Sequence, residues 1–446
     1  MKMFVYLCFV VTVSFATSPL SLHDALEKLK SNNHEIDIAK RDEHISALEA
    51  EVATASSLGS LDLSHNLLRS NDALNIFGYK LQSREARFTD FGFRQLDMSN
   101  PNYDAKPSDL NEPPSRNHFS TQLTYSLPLY SGGKISYYKK ITKALHHLST
   151  LTREETSLQK QYEVKKTFYD IALVKDYITD LAFIEKTMQK LYTKAAALRE
   201  EGYAKKVDLL EIETRLAEVG RHYESAKANE AMLYHYLSFL LDETVSEIIT
   251  PTIETLSFEI HEEAILNDNI RVKQAAQNLE ISKMNIALEE SAYYPQIGAF
   301  VQYGSADNHW MNDFSKNDAY TVGVQIKWNL FNGGADKANV EKARVHNLKA
   351  QQAFILSQKS LLLHVKQLQT KLHTYVYEIK SLKKEVELAQ MIYENYAGRY
   401  EQKLLSIHEV MLKQTEALQA VLKLKEAQNA HNDTIFELEK IARSTD

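Results

Sequence analysis

The chain has 446 residues, with 52 Lys and Arg against 59 Asp and Glu, and a formal net charge of −7. The two signs of charge are mixed and no basic block occurs, which argues against nucleic acid as a partner. Only eight prolines are present, and residues 134–250 and 335–446 contain none. Proline-free runs of this length, rich in Ala, Leu, Glu, Lys and Gln, predict helices far longer than those of ordinary globular domains.

The N-terminus predicts export from the cytoplasm. Lys2 precedes an apolar run, and Ser14 and Ala16 place small residues at positions −3 and −1 of a cut after Ala16. This pattern is typical of a secretory signal peptide, here residues 1–16. The single cysteine, Cys8, lies inside that segment, so the mature chain is expected to have no thiol.

The first elements of the mature chain are a predicted helix over residues 22–58, ended by Gly59, and a strand in which Leu61, Leu63 and Leu67 alternate with polar residues. From residue 68 to residue 117, Gly, Asn and Pro interrupt every periodic pattern, which predicts a long irregular loop. Loops of this length are expected on the outer side of a membrane barrel.

A second strand is predicted over residues 119–130, where apolar and polar side chains alternate. It runs through Gly132 and Gly133 into a helix predicted over residues 134–198, and Gly202 supplies the turn into a returning helix. Apolar residues in the returning helix follow a three-four spacing, which predicts a coiled-coil seam.

After Pro251 the same plan is repeated. A helix is predicted over residues 264–291, with Ile270 in the place of Ile36, followed by a third strand over residues 297–303 and a shorter polar loop. The fourth strand, from Tyr320 to Leu330, has the clearest alternation in the chain. A second helical hairpin is predicted over residues 335–443.

The repeat has a constant offset. Gly132 and Gly133 match Gly333 and Gly334 at a distance of 201 residues, and the same offset relates Asp208 to Glu409. This predicts an internal duplication. We therefore divide the chain into a signal peptide (1–16), a first repeat (17–251) and a second repeat (252–446). Each repeat is expected to hold a helix, two strands and a helical hairpin, with hairpin tips near residues 202 and 403.

Four strands cannot close a barrel, and an open sheet edge in lipid would leave backbone groups unpaired at a cost of several kcal/mol each. Several copies of the chain are therefore expected to complete one barrel. Polar inward residues would fill its lumen with water; they include Asp62, Gln302, Gln325 and Lys327. The predicted fold is mainly α, with a membrane β-barrel portion from which long amphipathic helices continue.

With this plan the sequence resembles the TolC-type outer-membrane efflux proteins, or outer membrane factors. The resemblance rests on the duplication, on LPLYSGG from Leu127 and WNLFNGG from Trp328, and on YPQI from Tyr294. It implies a homotrimer with a twelve-stranded barrel in the outer membrane and a long periplasmic α-helical coiled-coil tunnel. It also implies an exit duct that works with a periplasmic adaptor (membrane fusion protein) and an inner-membrane pump of the RND or ABC type. The pump would supply the energy, so no catalytic site and no cofactor are expected.

The resemblance assigns docking of the adaptor to the two hairpin tips. At the first tip it points to Gly202, Tyr203 and Ala204, and at the second to Lys403, Leu404, Leu405 and Ser406. Lys403 stands where the family has its second glycine. Because a lysine at positive φ is mildly strained, we expect this turn to differ in shape and the adaptor preference to differ with it. The alternative is ordinary turn chemistry with no partner.

The resemblance also places an entrance gate beside the tips. By position, Tyr400 and Asp208 would form a polar link between neighbouring hairpins, and Glu409 would contribute to an acidic ring. Leu405 and Leu412 replace an arginine and a second acid, which predicts a gate with fewer ionic locks. Asp208 could instead cap the returning helix through its first N–H groups, and both roles are compatible.

Other functions remain open or are disfavoured by the sequence. Sixteen histidines include no metal-binding spacing, and no phosphate loop or nucleophile elbow occurs. Type I protein secretion and metal efflux would use the same duct, because the pump selects the cargo. The rival from another class is a soluble periplasmic coiled-coil scaffold or adaptor.

Overall fold

The computed structural model describes residues 19–251, 262–310 and 314–442, so the predicted signal peptide lies outside the described residues. The chain divides into two compact units. Of the described residues, a helical unit comprises 19–44, 148–251, 262–277 and 352–442, and a sheet-containing unit comprises 45–147, 278–310 and 314–351. The helices of the described residues are α1 (Leu22–Asn32), α2 (His34–Ala55), α3 (Ala73–Gln82), α4 (Ser108–Asn111), α5 (Lys134–Glu200), α6 (Lys206–Leu241), α7 (Glu262–Asp268), α8 (Ile270–Glu290), α9 (Ala335–Glu401) and α10 (Ile407–Ala442). The strands are β1 (Ser60–Ser70), β2 (Arg116–Tyr130), β3 (Gln296–Asp307) and β4 (Asp318–Lys327).

The four strands form one antiparallel sheet in the order β1-β2-β3-β4. Its register confirms the predicted alternation. One row across the sheet reads Leu63, Leu123, Tyr303 and Tyr320, and the next row reads Asp62, Thr124, Gln302 and Thr321. The sheet therefore has one apolar and one polar face, and within the chain β1 and β4 each keep one unpaired edge.

The predicted end of the fourth strand is wrong. β4 stops at Lys327, before Trp328 and Leu330. The indole N–H of Trp328 donates to the carbonyl of Tyr293 at 3.1 Å, outside the ladder between β3 and β4. The ladder hydrogen bonds thus end three residues before the apolar alternation does.

The predicted irregular loop at residues 68–117 is also partly wrong. β1 continues to Ser70, β2 begins at Arg116, and α3 lies between them. The Asp72 carboxylate caps α3 by accepting from the N–H of Asn75 at 3.0 Å, which satisfies one of the free donors at the start of the helix. Ile76 gives the helix a buried anchor.

The predicted first helix is broken at Asn33. The side-chain oxygen of Asn33 accepts from the N–H of Ile36 at 3.0 Å and so caps α2, while its amide donates to the carbonyl of Leu240 at 2.8 Å. The side chain is buried, and its bonds satisfy one free N–H at the start of α2 and one free carbonyl in the last turn of α6.

The helix predicted at residues 264–291 is broken in the same way. Asn269 accepts from the N–H of Val272 at 3.3 Å and donates to the carbonyl of Ile441 at 3.0 Å. Ile441 lies 201 residues after Leu240, so the two breaks are equivalent. Since Val272 makes the contact that Ile36 makes, the expectation that Ile270 takes the place of Ile36 is wrong.

The hairpin helices have equal lengths in the two repeats. α5 and α9 each contain 67 residues, and α6 and α10 each contain 36. Each pair starts at positions 201 residues apart, as a duplication with a constant offset requires. No helix of the described residues is both long and apolar enough to span a membrane.

Candidate functional site

The first hairpin tip is a tight turn between α5 and α6. Gly202 adopts φ +84°, a left-handed conformation that glycine accepts without strain. The N–H of Gly202 donates to the carbonyl of Arg199 at 3.0 Å, and the N–H of Tyr203 donates to that of Leu198 at 2.8 Å. These bonds satisfy the last carbonyls of α5.

The second tip repeats this turn with a lysine at its centre. Lys403 adopts φ +66°, its N–H donates to the carbonyl of Tyr400 at 2.9 Å, and the N–H of Leu404 donates to that of Arg399 at 3.0 Å. The positive φ predicted for Lys403 is confirmed. The expected difference in shape is small, because the two bonds that close the turn match those of the first tip, and only the bond from the Ala204 N–H to the Leu198 carbonyl has no counterpart.

What distinguishes the second tip is the side chain of Lys403. Its ammonium lies 3.4 Å from the centroid of the Tyr203 ring and 3.7 Å from a carboxylate oxygen of Glu201. An ammonium over an aromatic face gains about 0.5–1 kcal/mol at an exposed site. Lys403 therefore ties the second hairpin tip to the first.

Two further polar contacts join the hairpins near the tips. Lys194 of α5 pairs with Glu401 of α9, and Nδ1 of His408 lies 2.6 Å from a carboxylate oxygen of Glu211. Sequence reasoning missed both pairs and the contact between Lys403 and Tyr203. Their partners lie about 200 residues apart, and only the superposition of the two repeats could have indicated them.

An apolar cluster beneath the tips packs the four hairpin helices together. Its buried members include Leu191 and Ala195 of α5, Leu209 and Ile212 of α6, Tyr400 of α9, and Ile407, Val410 and Met411 of α10. The tips are therefore held on a common core, while Tyr203 (67% exposed) and Leu404 (61% exposed) present apolar surface to solvent.

Asp208 caps the returning helix, as the alternative reading expected. Its carboxylate accepts from the N–H of Lys205 at 2.7 Å. Tyr400 is 6% exposed, and its hydroxyl has no hydrogen-bond partner among the described residues. Burial, together with the nearby negative charge of Asp208, raises the pKa of the Tyr400 phenol. The two predicted link residues thus lie close enough to interact electrostatically, but Asp208 is already engaged in its cap.

Glu409, predicted to contribute to an acidic ring, caps α10. Its carboxylate accepts from the N–H of Ser406 at 3.0 Å and from the Ser406 hydroxyl at 2.8 Å. These two bonds lower the pKa of Glu409 below its ordinary value. One oxygen makes both bonds, and the exposed side chain therefore presents a negative charge beside the second tip. No cluster of three or more potential metal ligands occurs among residues 19–251, 262–310 and 314–442.

Comparison with known proteins agrees with this arrangement. Residues 263–442 match the family described as outer membrane efflux protein. No curated protein sequence matches the chain significantly.

The fold is shared with outer-membrane channels of known structure. The outer membrane protein VceC from Vibrio cholerae is 13% identical, with 95% of this chain and 97% of VceC covered at a TM-score of 0.78. The CmeC outer membrane channel from Campylobacter jejuni is 15% identical, with 94% and 85% covered at a TM-score of 0.76. The MtrE outer membrane channel from Neisseria gonorrhoeae, in its open state, is 14% identical, with 94% and 88% covered at a TM-score of 0.76. Residues 263–442 thus match the outer membrane efflux protein family, and nearly the whole chain shares the fold of outer-membrane channels.

Proposed function

We propose that this protein is the exit duct of a tripartite efflux system, in which three copies form one twelve-stranded barrel and the hairpin tips dock on a periplasmic adaptor. The adaptor would connect the duct to an inner-membrane pump that supplies the energy. The observation that carries the proposal is the sheet, which has an apolar face, a polar face and two free edges.

The free edges of the sheet support closure by further copies. The chain contributes an even number of antiparallel strands, so β4 of one copy and β1 of the next run in opposite directions and can pair. Closure satisfies the edge groups that lipid would leave unpaired. Three copies of four strands give twelve, within the range of known outer-membrane barrels.

An apolar stripe on α9 supports association of the helices as well. Leu348, Leu356 and Leu363 follow each other at intervals of eight and seven residues and are all exposed in the single chain. Residues at this spacing lie on one side of a helix, as in a coiled-coil seam. Neighbouring copies would cover them.

The tips support docking of a helical partner. Tyr203 and Leu404 are exposed at the ends of two hairpins whose tips Lys403 links. An adaptor with apolar residues at its own helical tips could pack on this surface. The proposed contact residues are Gly202, Tyr203, Ala204, Lys403, Leu404, Leu405 and Ser406.

The first experiment tests assembly and location. Outer membranes from cells expressing the full chain are washed with carbonate, extracted with detergent and run on an SDS gel with and without boiling. The proposal expects a band near three times the chain mass that collapses on boiling and survives the carbonate wash. A monomer released by carbonate would contradict it.

A second experiment tests docking at the tips. A photo-crosslinking amino acid at Leu404 is expected to capture the adaptor. The same substitution at Leu388, which is 59% exposed on α9, serves as a matched control because it lies away from the tip. Equal capture at both positions, or none at Leu404, would refute docking at the second tip.

The entrance gate is part of the proposal, with Tyr400, Asp208 and Glu409 at its rim. The unpartnered Tyr400 hydroxyl supports this, since a buried hydroxyl gains from a partner that another arrangement of the hairpins could supply. Tyr400→Phe is expected to raise single-channel conductance in planar bilayers relative to Tyr396→Phe, a half-buried tyrosine of the same helix. Equal conductance of the two variants would remove Tyr400 from the gate.

A further inference from the structure

We infer that the segment between β1 and β2 closes the outer mouth of the duct, through contact between the α3 helices of three copies around the barrel axis. The inference rests on the trimeric barrel proposed above. The partner of each α3 helix is the same helix in the second and third copies.

α3 lies on the polar face of the sheet. The ring of Tyr79 stacks on His118, with centroids 4.0 Å apart and planes within 8°. His118 alternates along β2 with Phe119, whose side chain belongs to the apolar face, and shares its face with Ser120 and Gln122. Since the polar face lines the lumen of a membrane barrel, α3 lies on the lumen side of the wall.

Hydrogen bonds fix α3 to the sheet. Arg84, just after the helix, donates to the backbone carbonyls of Lys316 at 2.7 Å and Asp318 at 2.5 Å, next to and within the start of β4. Arg116 of β2 donates to the hydroxyl of Ser83 at 2.8 Å. These bonds join the end of α3 to two strands, so the helix cannot swing away from the wall without breaking them.

The face of α3 that points away from the sheet is apolar and exposed. Leu74 is 79% exposed and Leu81 is 50% exposed; seven residues apart, they lie on one side of the helix, with Gly78 between them. A Cβ atom at Gly78 would have no neighbour within 4 Å. Glycine inside a helix costs about 1 kcal/mol relative to alanine, and an apolar face with a glycine at its centre permits close approach of another helix.

This face also carries no charge that would repel a copy of itself. Lys80 is the only charged residue in α3, and its ammonium lies 2.6 Å from a carboxylate oxygen of Asp90. Three such faces can therefore meet without placing like charges together.

The size of the barrel brings the three helices together. Twelve strands spaced about 4.8 Å apart and tilted about 40° give a backbone diameter of about 24 Å. An α-helix with its side chains is about 10 Å wide. Three helices of this width have no room to stay apart at the mouth of so narrow a barrel, so their Leu74, Gly78 and Leu81 faces would meet at the axis.

Cysteine crosslinking tests the contact in the full-length chain. Cys8 is the only cysteine, so a Cys8→Ser background leaves each introduced thiol alone. Leu74→Cys and Leu81→Cys are expected to give covalent dimers when outer membranes are oxidised and boiled without reductant. Tyr320→Cys is the matched control, because Tyr320 is as exposed as Leu74, at 79%, but belongs to the apolar outer face of β4.

A second measurement tests closure of the mouth. In the same background, Gln302→Cys places a thiol on the lumen face of β3. In intact cells a small maleimide is expected to label this thiol, and a polymer-linked maleimide to label it poorly. Adding Leu74→Glu brings three like charges to the axis and should raise labelling by the large reagent several-fold, while adding Tyr320→Glu should not.

The outcomes separate this inference from the proposed function. A boiling-sensitive trimer with no dimer at Leu74→Cys or Leu81→Cys, and labelling unchanged by Leu74→Glu, would overturn the closed mouth and leave the trimeric duct intact. If Leu74→Cys prevents trimer formation, the presence or absence of a dimer at Leu81→Cys decides whether the α3 helices are in contact. Absence of any trimer in the unsubstituted chain would instead overturn the barrel itself.

Discussion

The hairpin helices of the two repeats have the same lengths but opposite polar chemistry at one equivalent position. In the first repeat, the Lys160 ammonium lies 2.6 Å from Glu35 and 3.0 Å from Glu163. The Tyr236 hydroxyl also donates to Glu163, at 3.1 Å. An almost completely buried cation is thus held between two carboxylates.

In the second repeat the same place is arranged differently. Leu361 stands at the position of Lys160, His364 at that of Glu163, and, matched through Asn33 and Asn269, Arg271 at that of Glu35. A cavity of about 430 Å³ opens here, lined by these three residues and by Ser357, whose hydroxyl is buried without a partner among the described residues. Since the hairpin helices of both repeats keep the same lengths, the polar contacts at this position do not set the register of these helices.

Removing a feature that both repeats share, such as the asparagine cap, should cause the largest loss in the free energy of unfolding. Asn33→Leu and Asn269→Leu each leave the N–H that the asparagine capped and the carbonyl it bonded without a partner, and we expect a loss of about 2–4 kcal/mol from each. Loss of helical circular dichroism on heating in detergent would report it. His34→Ala, at an exposed neighbour, is the control. Very different losses from the two variants would show that the breaks are not equivalent.

The features specific to one repeat should cost less. Lys160→Met removes the ammonium and leaves Glu163 partly buried with its remaining partners, for an expected loss of about 1–2 kcal/mol. Leu361→Lys, the reverse exchange, meets Arg271 and His364 instead of two carboxylates and should not be stabilising. The same melting experiment compares them, and a stabilising Leu361→Lys would show that the second repeat accepts the first repeat's chemistry.

Acid should weaken the first repeat through Glu163. Burial acts to raise the pKa of Glu163, but hydrogen bonds from Gln159 and Lys160 outweigh it and hold the pKa below its ordinary value of 4.5. The stabilisation from this carboxylate is therefore present above pH 4.5 and is lost as the pH falls through the lower folded value. Glu163→Gln should flatten the decline in melting temperature on acidification, and an unchanged decline would contradict this assignment.

The smallest effects are expected at the tips, where Gly202 and Lys403 make the same turn. Lys403→Gly relieves the positive-φ strain, worth about 1 kcal/mol, but loses the contacts to Tyr203 and Glu201, so its net effect on stability should be close to zero. Lys403→Met keeps the strain and loses the charge, and should be the less stable of the two by about 1 kcal/mol. Equal melting temperatures would show that the strain is negligible.

Local patterns predicted the parts of the fold that depend on local chemistry. The strands follow from alternation, the turns at Gly202 and Gly132 from glycine's access to positive φ, and the hairpin lengths from the constant offset. The breaks at Asn33 and Asn269 escaped because the apolar stripe continues across them. The carbonyls that bind the two asparagines lie 207 and 172 residues away in sequence, which no local window contains.

The candidate site was predictable in position but not in its contacts. The turn at Lys403 follows from the offset, whereas its contact with Tyr203 requires two hairpins to lie side by side. α3 was hidden for another reason. Gly78 and the surrounding Gly, Asn and Pro residues are typical of a loop. Asp72, which can cap a helix, is the one local residue that indicates α3.

The matched 67- and 36-residue helices also restrict how such a chain can change in length. Each residue inserted into one hairpin helix would shift its tip by about 1.5 Å and rotate its buried face by about 100°. Lys403 would then lose Tyr203, and the seam would turn toward solvent. Longer hairpins are compatible with the fold only if insertions close to whole heptads are made in both helices of both hairpins. Insertions and deletions should therefore be confined to the loops between β1 and β2 and between β3 and β4. The length of the hairpins is inherited as a fixed unit.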